Sequence, residues 1–229
     1  MKKEIQKEGR LKRIGDVRVL SENAYESIKE AIITLKFMPG EKLNLSTITD
    51  ELGISATPVR DALSRLAQEG FVDAIPFKGA FVRKVDEKMV EQLAELRELL
   101  EVAAIKRTAT QFTLRDVKTG EELLEKLEKA YKKNDVTSYV ECSMEFHAMF
   151  IDRCGNEMMA NVLRGFHDHV RRIAFLVVGR QGKISPFVDD YRRILEGLRK
   201  RDPEEAGRRL LDHVGKVRHA FNHESAENK

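Results

Sequence analysis

Apolar residues recur at helical spacing through most of the chain, and the period changes once. From Ser21, a residue suited to an N-cap, Ala24, Ile28, Ala31, Ile32 and Leu35 share one helical face. Met38-Pro39-Gly40-Glu41 is a turn signal that stops this helix, and Lys42-Leu43-Asn44 reads as a short strand. Ser46 then caps a second short helix from Thr47 to Leu52, which Gly53 closes at the C′ position. Ile54-Ser55 turns into a third helix from Pro58 to Glu69, with Thr57 and Pro58 as start signals and Gly70 as its end. Val59, Leu63 and Leu66 form its inner face; Arg60, Ser64 and Arg65 point to solvent. The period then drops to two. Phe71–Ile75 and Ala80–Arg83 read as strands around the turn Pro76-Phe77-Lys78-Gly79, which makes a β-hairpin with a basic tip. Three helices followed by such a hairpin describe a winged helix-turn-helix. From Asp86 onward the pattern is helical only, over 87–111, 113–133, 136–153, 156–178, 186–200 and 203–222. Breaks fall at Thr113, Asn134-Asp135, Gly155-Asn156, Gly179–Pro186 and Asp202-Pro203. The expected fold is therefore mainly α: a winged helix-turn-helix with a small β-hairpin wing, then an all-α antiparallel helical bundle.

Length and charge sharpen this division. A chain of 229 residues suggests two modest domains, and 41% hydrophobic residues suffice for real cores in both. Residues 1–20 are polar and basic with little periodicity and read as a flexible arm; 21–85 form the winged domain, and 86–224 the helical domain. Residues 1–85 carry 15 Lys and Arg against 12 Asp and Glu, whereas 86–229 are neutral, so the net positive charge lies where a polyanion would be read. No apolar run approaches the ~20 residues that span a bilayer. The charged N-terminus lacks an apolar signal core, so no membrane partner is expected and the expected location is cytoplasmic. Cys142 and Cys154 fall inside helical patterns and read as free thiols.

Spaced motifs then carry a family resemblance. Pro39-Gly40-Glu41-Lys42-Leu43, Leu52-Gly53-Ile54-Ser55, Thr57-Pro58-Val59-Arg60-Asp61-Ala62-Leu63, Leu66, Glu69-Gly70-Phe71-Val72 and Gly79-Ala80-Phe81-Val82 resemble the GntR family of bacterial transcription regulators. The helical remainder has Arg97-x-x-x-Glu101, Phe146-His147 and Gly155-Asn156, and resembles the FCD effector domain of the FadR-type subgroup over roughly 88–222. The resemblance implies a homodimer that binds double-stranded, palindromic operator DNA, in most members as a repressor released or engaged by a small organic acid. It places Ser55, Thr57 and Arg60 at the DNA and the tip Lys78-Gly79 at the minor groove or backbone. Ser46, Ser64 and Arg65 complete the DNA-contact set. Many members have Arg just after the turn serine; here it is Ala56, so more of the recognition falls on Arg60. Its guanidinium fork matches guanine O6 and N7, the alternative being an ion pair with Asp61. Arg65 reads as a phosphate contact or a surface ion pair.

In many FCD domains an Asp and three His bind a divalent metal. Here the resemblance aligns Ser143 with the Asp and Tyr191 with one His, leaving His147 and His213. The residues themselves leave another arrangement open. His147, His169 and His213 each sit on an apolar helical stripe, and three converging imidazoles could hold Zn²⁺ or Ni²⁺. The alternative is a metal-free polar pocket. Arg97 reads either as an i,i+4 partner of Glu101 or as a guanidinium that holds an effector carboxylate. The candidate effector pocket is thus Arg97, Ser143, His147, His169, Tyr191 and His213. Two other functions compete with a ligand-responsive regulator: a metal-dependent enzyme built on the histidines, and a ligand-free architectural DNA-binding protein. No nucleophile–base pair, phosphate loop or paired catalytic carboxylates stands out for the first.

Overall fold

The computed structural model describes residues 17–179 and 187–227. They form two units: residues up to Ile32 together with Phe37–Arg83, and Ile33–Lys36 together with residues from Lys84 onward. Of the basic arm expected over 1–20, residues 1–16 lie outside the described residues, as does the expected break over 180–186.

The first unit begins with helix α1 (Val17–Ile33), so Ser21 lies inside the helix rather than at its N-cap. Strand β1 (Lys42–Leu43) leads into α2 (Leu45–Leu52). Asn44, not Ser46, caps α2: its side chain accepts the Ser46 N–H at 3.0 Å, and the Ser46 hydroxyl turns back to the same oxygen. The Asn44 amide oxygen takes the N-cap position two residues earlier than expected, so α2 starts at Leu45. Ser55 occupies the N-cap of α3 (Ala56–Gln68) without a side-chain capping bond. The burial pattern of α3 follows its sequence: Val59, Ala62 and Leu66 are buried, as are Ala24, Ile28 and Phe71 of the same unit, while Arg60 and Ser64 stay exposed. Strands β2 (Val72–Ile75) and β3 (Gly79–Val82) form the hairpin, and β1 pairs on its other edge, giving the antiparallel order β1-β3-β2. Lys42 faces Phe81 across β1–β3, and Ile75 faces Gly79 at the hairpin end. Val82 exchanges backbone bonds of 2.8 Å with Gly40 and Glu41, which closes the sheet at that end.

The second unit is helical throughout: α4 (Glu87–Ala109), α5 (Leu114–Lys133), α6 (Val136–Ile151), α7 (Glu157–Gly165), α8 (His167–Gly179), α9 (Val188–Arg199) and α10 (Pro203–Glu227). Its starts are set by short polar caps. Asp86, Thr113, Asp135 and Asn156 each accept a first-turn N–H, with Thr113 and Asp116 forming a capping box; Asp202 accepts from Glu204 and Glu205. The single helix expected over 156–178 is two, because the backbone leaves helical geometry at Phe166 after Gly165. Helices α5 and α6 pack together across a two-residue turn, and α9 and α10 across a three-residue one, so each pair runs antiparallel. Gly197 permits the second contact, since a Cβ there would meet the Ala206 backbone nitrogen at 2.8 Å. Leu96 lies three residues after the buried Leu93 on α4 and yet is exposed, together with Leu99 at 71%. Among the described residues no helix is long and apolar enough to cross a membrane.

Candidate functional site

On the first unit, two arginines of α3 have opposite fates. Arg65 is tied to the scaffold. It donates to Glu69 at 3.2 Å and to Glu22 at 2.8 Å, and its guanidinium lies 3.5 Å from the centre of the Tyr25 ring. Tyr25 in turn donates to Glu69 at 2.7 Å. Arg65 thus ties α3 to α1 through ion pairs while its side chain stays exposed, as in the surface ion-pair reading of this residue. Arg60 is exposed and forms no ion pair with Asp61 or any other described residue. It lines a groove of about 570 Å³ with Ser64 of α3, Lys42 and Asn44 beside β1, and Lys78 and Gly79 of the wing. Ser46, Ser55 and Thr57 are also exposed. Gly79 has φ +108, which only glycine adopts without strain at this corner of the hairpin.

On the second unit, α4, α6, α8, α9 and α10 enclose a cavity of about 50 Å³. Its walls are mostly apolar, with Leu93, Met144, Val170, Ile173 and Val214 among them; its polar end is Arg97, Ser143, His147, Tyr191 and His213. Arg97 and Glu101 are both buried, at 6% and 3% exposure, and pair through Nε to Oε1 at 2.7 Å and Nη2 to Oε2 at 3.3 Å. His147 Nδ1 lies 2.9 Å from Glu101 Oε2. Burial alone would raise the Glu101 pKa, but Arg97 and His147 outweigh it and hold the carboxyl well below the usual carboxylate range. A charged carboxylate can only accept, so His147 carries its proton on Nδ1 and turns Nε2 away from Glu101. Burial pushes His213 down to about 4 and Tyr191 up to about 12, so at neutral pH the first is an uncharged imidazole and the second a phenol. The rings of His147, Tyr191 and His213 form one cluster, with centroids 4.8–5.9 Å apart.

The structure therefore brings together five of the six candidate pocket residues and leaves out His169. The α8 face that reaches the cavity is Val170, Ile173 and Ala174, and His169 stands about 100° round the helix from Val170. The donor set left for a cation is two imidazoles, with a buried guanidinium beside them. The Ser143 hydroxyl donates to the Val140 carbonyl at 2.7 Å, and both Glu101 oxygens are engaged. Among the described residues, no group of three or more His, Cys, Asp or Glu side chains is arranged to hold a metal ion. These residues do not fit the three-imidazole arrangement. Sequence reasoning missed Asp190, which is buried behind the cluster, 3.7 Å from His213 Nδ1 and bonded to Lys216. The charge next to Tyr191 in an otherwise apolar stripe was its only signal. It also missed His167, whose pKa burial lowers.

A winged helix-turn-helix with an exposed basic groove, followed by a separate helical bundle, defines a DNA-binding transcription regulator. The comparisons with known proteins agree. The family model "Bacterial regulatory proteins, gntR family" matches residues 20–82, and the FCD domain model matches 92–216. The chain belongs to the gntR family, with an FCD domain as its helical part. It is similar to the HTH-type transcriptional regulator YdhC of Bacillus subtilis, at 25% identity over 87% of each chain. It is also similar to the HTH-type transcriptional repressor RspR of Escherichia coli, at 20% identity over 86% of this chain and 87% of that one. Among solved structures, E. coli McbR/YncC matches with a TM-score of 0.72 at 21% identity, covering 86% of this chain and 94% of that one. The two curated relatives are described as transcriptional regulators.

Proposed function

We propose that the chain is a dimeric repressor whose grip on its operator is set by a small monocarboxylate in the helical-domain cavity, without a metal. The observation that carries the DNA half is the exposed Arg60, which has no ion pair among the described residues, beside an Arg65 bonded to Glu69 and Glu22. Ser55, Thr57, Ser64, Lys78 and Gly79 flank it as backbone contacts that fix register, while Arg60 reads guanine. Repression is supported by the similarity to RspR. The cavity supports the ligand half. It is large enough for a compact molecule of a few heavy atoms, has apolar walls, and ends in Arg97, Tyr191 and two imidazoles. A closed apolar core, as a ligand-free architectural protein would have, is a poorer match to this end. Arg97 supplies the positive charge that a cation supplies elsewhere, and Glu101 keeps it oriented. Leu96 and Leu99 offer α4 as the face for the second copy. The effector acts only if it binds one geometry of the dimer better than the other.

The test is binding to DNA from immediately upstream of the protein's own gene. Arg60→Ala should weaken specific binding by about tenfold or more and relax preference at one base pair in each half-site. Short monocarboxylates should raise the melting temperature of metal-stripped protein and shift operator affinity. Elemental analysis showing a stoichiometric metal in active protein would overturn the metal-free reading.

A further inference from the structure

The wing carries a residue that the fold itself does not explain. Phe77, at the hairpin tip, is 111% exposed, and it makes no ring contact or cation–π contact with any described residue. Its backbone is also in the wrong place for its side chain. The turn is closed by Lys78 N–H donating to the Ile75 carbonyl at 3.1 Å, with Pro76 and Phe77 at its corner. Phe77 has φ +61, a value that a turn with proline at this position normally gives to Gly or Asn. A large aromatic side chain thus sits at a strained position, in water, with no intramolecular return. Such local violations mark sites shaped by something outside the chain.

The groove shows what that is. Phe77 lines the same groove as Arg60 and Ser64 of α3, so the ring is continuous with the face that meets DNA. The other charged residues lining that groove are Lys42 and Lys78, and no carboxylate lines it. This charge suits a phosphodiester backbone rather than an acidic-and-basic protein surface. With α3 in the major groove, the hairpin tip passes over one strand toward the neighbouring minor groove. There an apolar ring can enter between base pairs, while Lys78 next to it pairs with phosphate.

We infer that Phe77 is a wedge: it inserts into a base step of the operator's minor groove at each half-site, unstacks it and bends the duplex. The wing then selects sequence by how easily a step opens, favouring flexible pyrimidine–purine steps at positions that α3 does not touch. This inference rests on the operator-binding reading above.

The experiment uses full-length protein and DNA from immediately upstream of its gene, with half-sites located by footprinting. A 2-aminopurine probe placed at successive steps under the wing reports unstacking, and energy transfer between end-labelled dyes reports bending. Wild-type protein should raise the probe's fluorescence at one step per half-site and shorten the end-to-end distance. Phe77→Ala should abolish both signals and weaken binding by about tenfold or more, the loss of a base–aromatic stack, with an unchanged melting temperature. Phe77→Asn relieves the backbone, so it should fold at least as stably and fail in the same way. Lys78→Ala should keep the fluorescence and the bend and only flatten the salt dependence. Tight wild-type binding with no unstacking, or a Phe77→Ala protein that still bends the DNA, overturns the wedge and leaves operator binding standing. Absence of specific wild-type binding overturns the operator reading and the wedge with it.

Discussion

Within the cavity, His213 is an imidazole whose burial disfavours the charged, doubly protonated form. Its folded-state pKa of about 4 lies below the ordinary value of 6.5, so the unfolded chain binds more protons over the interval between them. Stability from this group is therefore fully present above about pH 6.5 and drains away as pH falls toward 4. At pH 5 the loss should be roughly 1–2 kcal/mol, read as a lower urea midpoint than at pH 7.5. His213→Phe should flatten that part of the pH profile, and an unchanged slope would show that another group governs it. The residue scale also shows where reading the chain alone stops. The four-residue spacing of Arg97 and Glu101 made their pairing legible, but the approach of His147 from α6 depends on packing that no local pattern encodes. Arg60 and Arg65 look alike in the sequence; only the position of α1 decides that Arg65 stacks on Tyr25 while Arg60 stays in water.

At the scale of elements, legibility follows the strength of local signals. Thr113, Asp135, Asn156 and Asp202 cap helices where their short polar side chains predict, because the capping bond is made within the same few residues. Ser21 and Ser46 carry the same chemistry and cap nothing, since α1 begins earlier and Asn44 precedes Ser46. The break between α7 and α8 escaped because Gly165 sits inside an apolar periodicity that continues on either side. The α9–α10 contact is a case of the opposite kind, where one missing atom sets the geometry. Gly197→Ala would drive a Cβ against the Ala206 backbone, 2.8 Å from its nitrogen and 2.9 Å from its Cα, and backbone cannot swing aside as a side chain can. The variant should be less stable by about 1–3 kcal/mol in chemical denaturation, with the far-ultraviolet helix signal kept. A neutral result would mean that the two helices slide apart at little cost.

For the molecule as a whole, the change of period near Phe71 and its return near Asp86 made the two-part organisation readable from the chain alone. What periodicity could not show is which apolar residues remain outside. Leu96 keeps the helical spacing of its buried neighbours, yet it lies with Leu99 on the open side of α4. If that side receives a second copy, Leu99→Asp should convert a dimer to a monomer in sedimentation velocity. Paired half-site binding should then collapse to weak single-site binding, because the gain from linking two heads is lost. A dimer that survives the substitution would move the interface elsewhere.

Strand β1 is short, but its place in the sheet has a further consequence. Two-stranded hairpins are marginal by themselves in water. Here the outer edge of the wing is clamped by residues that lie between α1 and α2 in the chain, through Lys42 and Leu43 against Phe81 and Ala80. The wing is therefore stitched into the middle of the helix-turn-helix rather than hung from its end. Mutation can exchange the letters read by α3 or by the tip one at a time, while the distance between the two readings stays constant. Relatives diverging from this chain would be expected to drift in operator sequence far sooner than in operator spacing.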